Sequence, residues 1–409
     1  MNSRRTQRIA DYVHRGARRP VIVSTALAAV LIAVVALPRI VQQQPPIGPD
    51  AFIFEYGGWL IANGGKMYVT FWEIKPPGAW YITGALAFVT GDNMLLLHRL
   101  SVLVSAAGIL VSVASLTASV HRVTDLPLAG LIAGISYLAY PTVYALPATG
   151  YRPKTTILAI AFGAWYLYLT DRPRVAFAVA MLAPALWQFG LVIPLTFGVV
   201  SLLKNRLCLL ETVGIAGAIT AVMVIPVVVT SGYRPVFVES ILVPLTIRGS
   251  ESIPNNILFG GVVLAFAAPI GFVGGLEALW RLRDREHLLV SIPFVWFAFQ
   301  AMVLDLDGAP DLLLVYGYAV AGLGLLVARL LPNRRRQVFV AVCTLVLANI
   351  ALYIIRPNNP YLIPPAGAGK FAFVDVSLFW EPRFPESCHI RLSETERIWM
   401  EKTSDPICE

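Results

Sequence analysis

The chain has 409 residues, of which 57% are hydrophobic and 14% are charged, and its mean hydropathy is +0.70. A soluble domain carries about 25% charged residues, so this composition excludes an ordinary soluble protein. The apolar runs are continuous and long enough to cross a bilayer, which favours transmembrane helices over the alternating pattern of a β-barrel. The net charge of +8 does not indicate a nucleic-acid partner, because most basic residues fall in short loops between apolar runs.

The basic leader at residues 1–19 sets the predicted orientation, because positively charged flanks stay in the cytoplasm. Successive spans then cross the membrane in alternating directions, which puts every strongly basic loop in the cytoplasm and the C-terminus outside. About eleven spans result, near residues 20–40, 97–120, 126–146, 155–171, 175–187, 189–203, 207–229, 256–279, 287–304, 311–331 and 337–355. Residues 78–90 are apolar but too short to cross comfortably, so they predict an interfacial or re-entrant helix.

The external loop between the first two spans, residues 41–96, is the predicted location of the active site. It places the carboxylates Asp50, Glu55 and Glu73 and the cation Lys75 beside a bilayer, where charge is costly and tends to mark function. Asp50 opens a predicted helix, so it is either an N-cap or a general base for an acceptor hydroxyl. Glu55 and Glu73 are candidate substrate-binding groups, and pairing with Lys75 is the alternative for Glu73.

Two short interfacial helices are expected in this loop, at residues 52–62 and 68–72, because both segments are rich in aromatic residues. Their rings, with Tyr68 among them, either form a belt at the membrane surface or stack on a sugar. Tyr68 is therefore a candidate substrate-binding residue.

Seven cations fall on the predicted external side, where positive charge is disfavoured: Lys66, Lys75, Arg99, Arg152, Lys154, Arg234 and Arg248. The candidates for substrate binding among them are Lys75, Arg99, Arg152 and Lys154. Arginine and lysine are the usual partners of phosphate oxygens, so these side chains form a candidate phosphate clamp. Contact with lipid headgroups at the ends of the spans is the alternative. The histidines and cysteines show no metal-ligand spacing.

The loop resembles the first external loop of lipid-phosphate-sugar glycosyltransferases of the GT-C fold, which include protein O-mannosyltransferases and lipid A aminoarabinose transferases. The matching elements are Asp50, Gly58-Trp59-Leu60, Gly65-Lys66-Met67-Tyr68, Glu73, Lys75-Pro76-Pro77-Gly78 and His98-Arg99-Leu100. Residues 374–396 resemble the tail of archaeal dolichyl-phosphate-mannose mannosyltransferases of surface-glycoprotein N-glycosylation.

The resemblance implies inverting transfer of a sugar from a polyprenyl phosphate to a lipid-linked oligosaccharide, and the likeness to the mannosyltransferases implies that the sugar is mannose. Asp50 would accept the proton of the acceptor hydroxyl or orient that hydroxyl. Lys75 is the first candidate for stabilising the leaving phosphate, and Arg99, Arg152 and Lys154 are the further candidates. Because the phosphate is already on the lipid, the chemistry requires no tightly bound metal, although it is compatible with a divalent cation.

Protein O-glycosylation, and a flippase or transporter of polyprenyl-linked sugars, are the alternative functions. A transporter predicts charged residues buried mid-span along a path, whereas the charges here cluster at one face, which favours an enzyme. Many relatives open the loop with Asp-Glu, but here Ala51 follows Asp50, so the second acid of that pair is absent from its usual position.

Residues 1–355 are predicted to form one transmembrane catalytic domain, and residues 356–409 a small extracytoplasmic tail. Cys388 and Cys408 lie in this tail, where a disulfide is possible if the tail is outside, but the sequence leaves the pairing open. The predicted protein is thus a multi-pass protein of the cell membrane, with a cytoplasmic N-terminus and an external active site.

Overall fold

A computed structural model of the chain describes residues 3–70, 74–242, 253–285, 287–304 and 309–355. This part of the chain is built from helices, which confirms the predicted all-α membrane fold. The helices of the first half are α1 (Ser3–Ile40), α2 (Pro49–Ala62), α3 (Gly78–Thr90), α4 (Met94–Thr124), α5 (Pro127–Tyr137), α6 (Thr142–Ala145), α7 (Pro153–Leu169), α8 (Pro173–Ala180), α9 (Ala183–Leu186) and α10 (Val192–Leu203). Those of the second half are α11 (Leu209–Ser231), α12 (Tyr233–Phe237), α13 (Ile253–Leu264), α14 (Ala268–Trp280), α15 (Leu288–Phe299), α16 (Leu312–Arg329) and α17 (Pro332–Ile355).

Short turns of other helical types extend or join several of these helices. The 3₁₀ turns are Leu146–Thr149, Gln188–Leu191, Ala265–Ala267, Arg281–Arg283 and Ala309–Asp311, and the π turns are Val238–Leu242 and Gln300–Leu304.

Six helical stretches within the described residues are long and apolar enough to cross a bilayer, and a bent pair makes a seventh. They coincide with the predicted spans near 20–40, 97–120, 126–146, 207–229, 256–279, 311–331 and 337–355. The other four predicted spans are also helical, but α7, α8 with α9, α10 and α15 are each shorter than those six. A multi-pass membrane protein is therefore confirmed, while the total of eleven spans stays a prediction.

The predicted span at 126–146 is broken, because α5 and the helical segment Thr142–Thr149 meet at an angle of 70°. Pro141 lies at the break, where its ring disfavours helical geometry in the preceding residue. The buried Asn349 Nδ2 of α17 donates to the carbonyl of Ala139, 2.7 Å away. Such side chains satisfy backbone groups that a broken helix leaves open inside a membrane protein.

The centre of the bundle is α16, whose apolar window, including the preceding turn, is 83% buried, whereas the window of α11 is 6% buried. Helix α16 packs against α5, α7, α14 and α15. Because α7 and α16 both begin at the same end of the bundle, their first residues meet there. This end carries the candidate site.

The first loop differs from its prediction in one element. Helix α2 begins at Pro49 and packs against α3, with Phe54 and Leu60 buried. The predicted helix at 68–72 is wrong in its described part, because residues 68–70 form a turn in which Thr70 N–H donates to Lys66 O. Helix α3 has the predicted bounds, and its position relative to the membrane stays a prediction.

Residues 356–409 lie outside the described residues, and with them Cys388 and Cys408. The division into a catalytic domain and a tail therefore stays a prediction.

Candidate active site

Charged side chains from distant segments of the chain line one pocket at the end of the bundle where α7 and α16 begin. The lining residues are Asp50, Phe54, Lys75, Arg152, Pro153, Lys154, Trp187 and Pro310. Four of the predicted site residues, the carboxylate of Asp50 and the cations Lys75, Arg152 and Lys154, are thus brought together.

The centre of the pocket is an ion pair between Asp50 and Arg152. Pro49 at the first position of α2 fixes the start of that helix and presents Asp50 in its first turn. Arg152 precedes α7, whose first residue is Pro153, and its side chain is 5% exposed, against 36% for Asp50. Within the described residues, the buried Nε of Arg152 has no hydrogen-bond partner. A buried donor of this kind calls for an explanation, and an anionic ligand is one.

The electrostatics of the pocket keep Asp50 ionised. Desolvation by burial raises the pKa of its carboxyl, but the charges of Arg152, Lys75 and Lys154 and the hydrogen bond from Arg152 together lower it by more. The pKa of Asp50 therefore lies below its ordinary value of 3.8. At neutral pH the pocket therefore holds a carboxylate that can accept a hydrogen bond from a hydroxyl group.

Lys154 links α7 to the central helix of the bundle. Its Nζ forms an ion pair with Asp311, which immediately precedes α16 and is buried. The same Nζ lies 4.8 Å from the centre of the Trp187 ring, a cation–π distance. The sequence offered one signal for Asp311, a carboxylate directly before a long apolar helix, but none that pairs it with Lys154.

Lys75 approaches the pocket from the loop between α2 and α3. Its Nζ lies 5.4 Å from the centre of the Phe54 ring. Tyr68 O–H donates to the carbonyl oxygen of Lys75 at 2.7 Å, and the Tyr68 side chain is fully buried against Trp80. This contact shapes the loop that carries Lys75. Substrate binding by Tyr68 stays a prediction.

Glu55 is also fully buried, and substrate binding by Glu55 stays a prediction. Its Oε2 lies 2.9 Å from Nδ1 of His98 in α4, and its Oε1 accepts the N–H of Tyr151 at 2.8 Å. These contacts join α2 to α4 and to the residue that precedes Arg152.

Arg99 does not line the pocket. Its Nε donates to the carbonyl oxygen of Ile40 at 3.0 Å, and so satisfies a carbonyl at the C-terminal end of α1. Glu73 lies outside the described residues. Substrate binding by Arg99 and Glu73 stays a prediction.

No group of three or more His, Cys, Asp or Glu side chains in the described ranges is arranged to hold a metal ion. The expectation that the chemistry runs without a tightly bound metal stays a prediction.

Residues 64–225 match a family model described as DolP-mannose mannosyltransferase. A dolichol phosphate-mannose mannosyltransferase of Haloferax volcanii is 26% identical, over 89% of this chain and 90% of the relative. The predicted resemblance to lipid-phosphate-sugar glycosyltransferases is confirmed. With it, the prediction that the chain is a glycosyltransferase is confirmed.

The fold of this glycosyltransferase is similar to two crystal structures of ArnT from Cupriavidus metallidurans, one bound to undecaprenyl phosphate and one in the apo state. Both have a TM-score of 0.59, with sequence identities of 17% and 18%. The alignments cover 88% and 83% of this chain, and 67% and 65% of the ArnT chains. The likeness confirms the GT-C type of fold, and this chain spans about two thirds of the length of those structures.

The region of this glycosyltransferase that matches the family model contains the pocket cations Lys75, Arg152 and Lys154. Asp50 and Glu55 precede the matched region. Their place in the site rests on the geometry of α2.

Proposed function

We propose that this chain transfers mannose from dolichyl phosphate mannose to a lipid-linked oligosaccharide, in the N-glycosylation of surface glycoproteins. The observation that carries the proposal is the meeting of one carboxylate and three cations in a single pocket at one end of an apolar helical bundle. Such a pocket suits a donor whose phosphate is soluble in water and whose chain is soluble in lipid.

The cations of the pocket are suited to the donor phosphate. Arg152 would donate to phosphate oxygens through its guanidinium, including the buried Nε that has no partner among the described residues. Lys75 and Lys154 add positive charge on either side. The family model and the Haloferax relative both have dolichol phosphate-mannose in their descriptions, and one ArnT structure is bound to undecaprenyl phosphate. These findings support a polyprenyl phosphate as the donor lipid.

In the proposed reaction, the oxygen of an acceptor hydroxyl attacks the anomeric carbon of the sugar from the face opposite the phosphate. The bond between that carbon and the phosphate oxygen breaks, and its electron pair leaves with dolichyl phosphate. Asp50 accepts the proton of the attacking hydroxyl, and the three cations stabilise the charge that develops on the phosphate.

Donor binding would also make Asp50 a stronger base. Arg152, Lys75 and Lys154 lower the pKa of Asp50 in the structure described here. A bound phosphate compensates these positive charges and competes with Asp50 for Arg152. The pKa of Asp50 therefore rises when the donor is in place, which couples the base to the presence of the donor.

The external face is the proposed location of the pocket. At the opposite end of the bundle lie many arginines, among them Arg174, Arg206, Arg281 and Arg329. The positive-inside rule assigns such an end to the cytoplasm. Nucleotide sugars are absent outside the cell, which explains the use of a donor that already carries its phosphate on a lipid.

The test is transfer of radiolabelled mannose from dolichyl phosphate mannose to lipid-linked oligosaccharide, comparing wild type with Asp50→Asn at matched amounts of folded protein. We expect a loss of about 100-fold or more, the scale for removing a general base. Asp171→Asn is the matched control, because Asp171 lies at the opposite end and is 80% exposed.

Each outcome decides between functions. Label in the lipid-linked glycan of the wild type supports the proposal, and label in protein hydroxyl groups supports O-glycosylation instead. Equal transfer by wild type and Asp50→Asn would show that Asp50 is not the base. Movement of the donor across the membrane without transfer would favour a flippase.

A further inference from the structure

The main-chain corner before α7 is held from two other helices. From α2, the Glu55 carboxylate accepts the Tyr151 N–H at 2.8 Å, and its other oxygen lies 2.9 Å from His98 Nδ1 in α4. From α4, the Ser105 hydroxyl accepts the Arg152 N–H at 3.0 Å. The corner is thus fixed at the N–H groups of Tyr151 and Arg152, one held from α2 and the other from α4.

Gly150 allows this close approach. Its φ of +110° is one that side chains other than glycine rarely adopt, and its carbonyl accepts the Ser105 hydroxyl at 2.9 Å. A Cβ at this position would overlap Glu55 Oε1 and lie 3.1 Å from His98 Cε1. The corner therefore packs directly on the Glu55–His98 pair.

Helix α2 consequently contacts the corner at two points. Asp50 pairs with the Arg152 side chain, and Glu55, five residues later, holds the main chain one residue earlier. A donor phosphate that binds Arg152 competes with the first contact but not with the second. The second contact remains to hold Arg152 in place when the donor is bound.

We propose that Glu55 and His98 form a positioning unit that fixes the Tyr151–Arg152 main chain, so that the Arg152 guanidinium is aimed at the donor phosphate. The proposal rests on the proposed function, since it takes a phosphate as the ligand of Arg152. Glu55 and His98 are fully buried and act through Arg152 without touching the substrate.

The burial of Glu55 supports a specific role. A buried carboxylate is costly unless it is paired and hydrogen-bonded, and an apolar side chain of similar volume often stabilises a fold equally well. Glutamine would keep an oxygen for the Tyr151 N–H and an amide group for His98. Glu55→Gln therefore separates the hydrogen bonds of this unit from its charge.

The experiment measures the affinity of the purified full chain for dolichyl phosphate, and the KM and kcat for transfer, in a double-mutant cycle of Glu55→Ala and Arg152→Ala. We expect Glu55→Ala to weaken dolichyl phosphate binding about 10- to 100-fold, the scale for a misplaced binding group, and to raise the donor KM. On the Arg152→Ala background the same change should have no further effect, because the residue that it positions is gone. Glu55→Gln should restore affinity to within about threefold of wild type, the scale of a single weakened hydrogen bond.

Glu277→Ala is the matched control. Glu277 is another buried glutamate, 7% exposed, but it pairs with Arg281 and Arg329 at the opposite end of the bundle. Its loss disturbs the fold in a comparable way without touching Arg152, so dolichyl phosphate affinity should stay near that of the wild type. If Glu55→Ala does not fold, Ser105→Ala removes the acceptor of the Arg152 N–H and should weaken binding about threefold to tenfold.

Two results would overturn the inference while leaving the proposed function intact. One is wild-type affinity in Glu55→Ala, and the other is full additivity of Glu55→Ala with Arg152→Ala. A wild-type chain that does not bind dolichyl phosphate would overturn the proposed function, and this inference with it.

Discussion

Both ends of the bundle contain ion pairs between a cationic side chain and a carboxylate, but the pairs differ in how far their side chains are buried. In the pocket, Arg152 and its partner Asp50 are 5% and 36% exposed, and Lys154 and Asp311 are 17% and 4% exposed. Each of these pairs joins residues that are far apart in the sequence and belong to different structural elements. The pocket pairs are therefore largely desolvated contacts between elements.

At the opposite end, Arg174 and Glu211 are 73% and 31% exposed, and Arg206 and Asp171 are 37% and 80% exposed. Glu277 is the exception at this end, because it is buried and takes both Arg281 and Arg329. Exposed pairs contribute little to stability, whereas buried pairs are costly to desolvate and are often replaceable by apolar residues. Apart from Glu277 and its partners, the cations of this end are more exposed than those of the pocket, which sets the pocket apart as the candidate site.

The largest effect is expected from removing Arg152, the buried cation of the pocket. Arg152→Gln deletes the charge beside Asp50, and we expect kcat for mannose transfer to fall about 100- to 1,000-fold, as for loss of one group that stabilises a developing anion. The measurement is transfer of labelled mannose by equal amounts of folded enzyme. Arg174→Gln at the exposed end is the control, and equal losses in both variants would refute the distinction between the two ends.

The pH dependence of transfer sharpens the comparison. In the wild type, the lowered pKa of Asp50 keeps the carboxylate ionised down to acidic pH, so protonation of Asp50 does not limit transfer near neutrality. Arg152→Gln removes the largest attractive charge and leaves the desolvation that raises the pKa. The acid limb of the residual activity should therefore move to higher pH.

This shift is measured as kcat/KM between about pH 4 and 7, which reports groups of the free enzyme. Arg174→Gln should keep the wild-type profile. An acid limb of Arg152→Gln at the wild-type pH or lower would show that Asp50 does not depend on Arg152 for its charge.

The all-α class and the charges that line the candidate pocket could be predicted from the sequence, because charge is conspicuous in an apolar chain. Asp50, Lys75, Arg152 and Lys154 stood out as charges at the ends of apolar runs, and all four line the pocket. The break near Pro141 was not predicted, since residues 126–146 were expected to form one span, and whether a proline kinks or ends a helix depends on the neighbours that satisfy its backbone groups.

The roles of Glu55 and Tyr68 could not be predicted in this way. Glu55 reaches His98 43 residues later and Tyr151 96 residues later, and only the packing of three elements shows that it is buried. In sequence, Glu55 is another acid in a charged loop. Tyr68 is similar, since its hydroxyl binds a main-chain carbonyl, and such contacts leave no side-chain pattern in the sequence.

The smallest expected effect tests the exposed end directly. Asp171→Asn removes one charge of an exposed pair, in which Arg206 also donates to the carbonyl of Tyr168 and stacks on its ring, so Arg206 keeps other contacts. Asp171 has a φ of +60°, a conformation that asparagine adopts as readily as aspartate. We expect the free energy of unfolding to change by less than about 0.5 kcal/mol, because exposed pairs contribute little.

Thermal unfolding in detergent at low and high salt checks this value, since any real contribution of the pair would be screened at high salt. A large and salt-sensitive loss would mean that exposed pairs also stabilise this fold, and burial would then no longer single out the pocket.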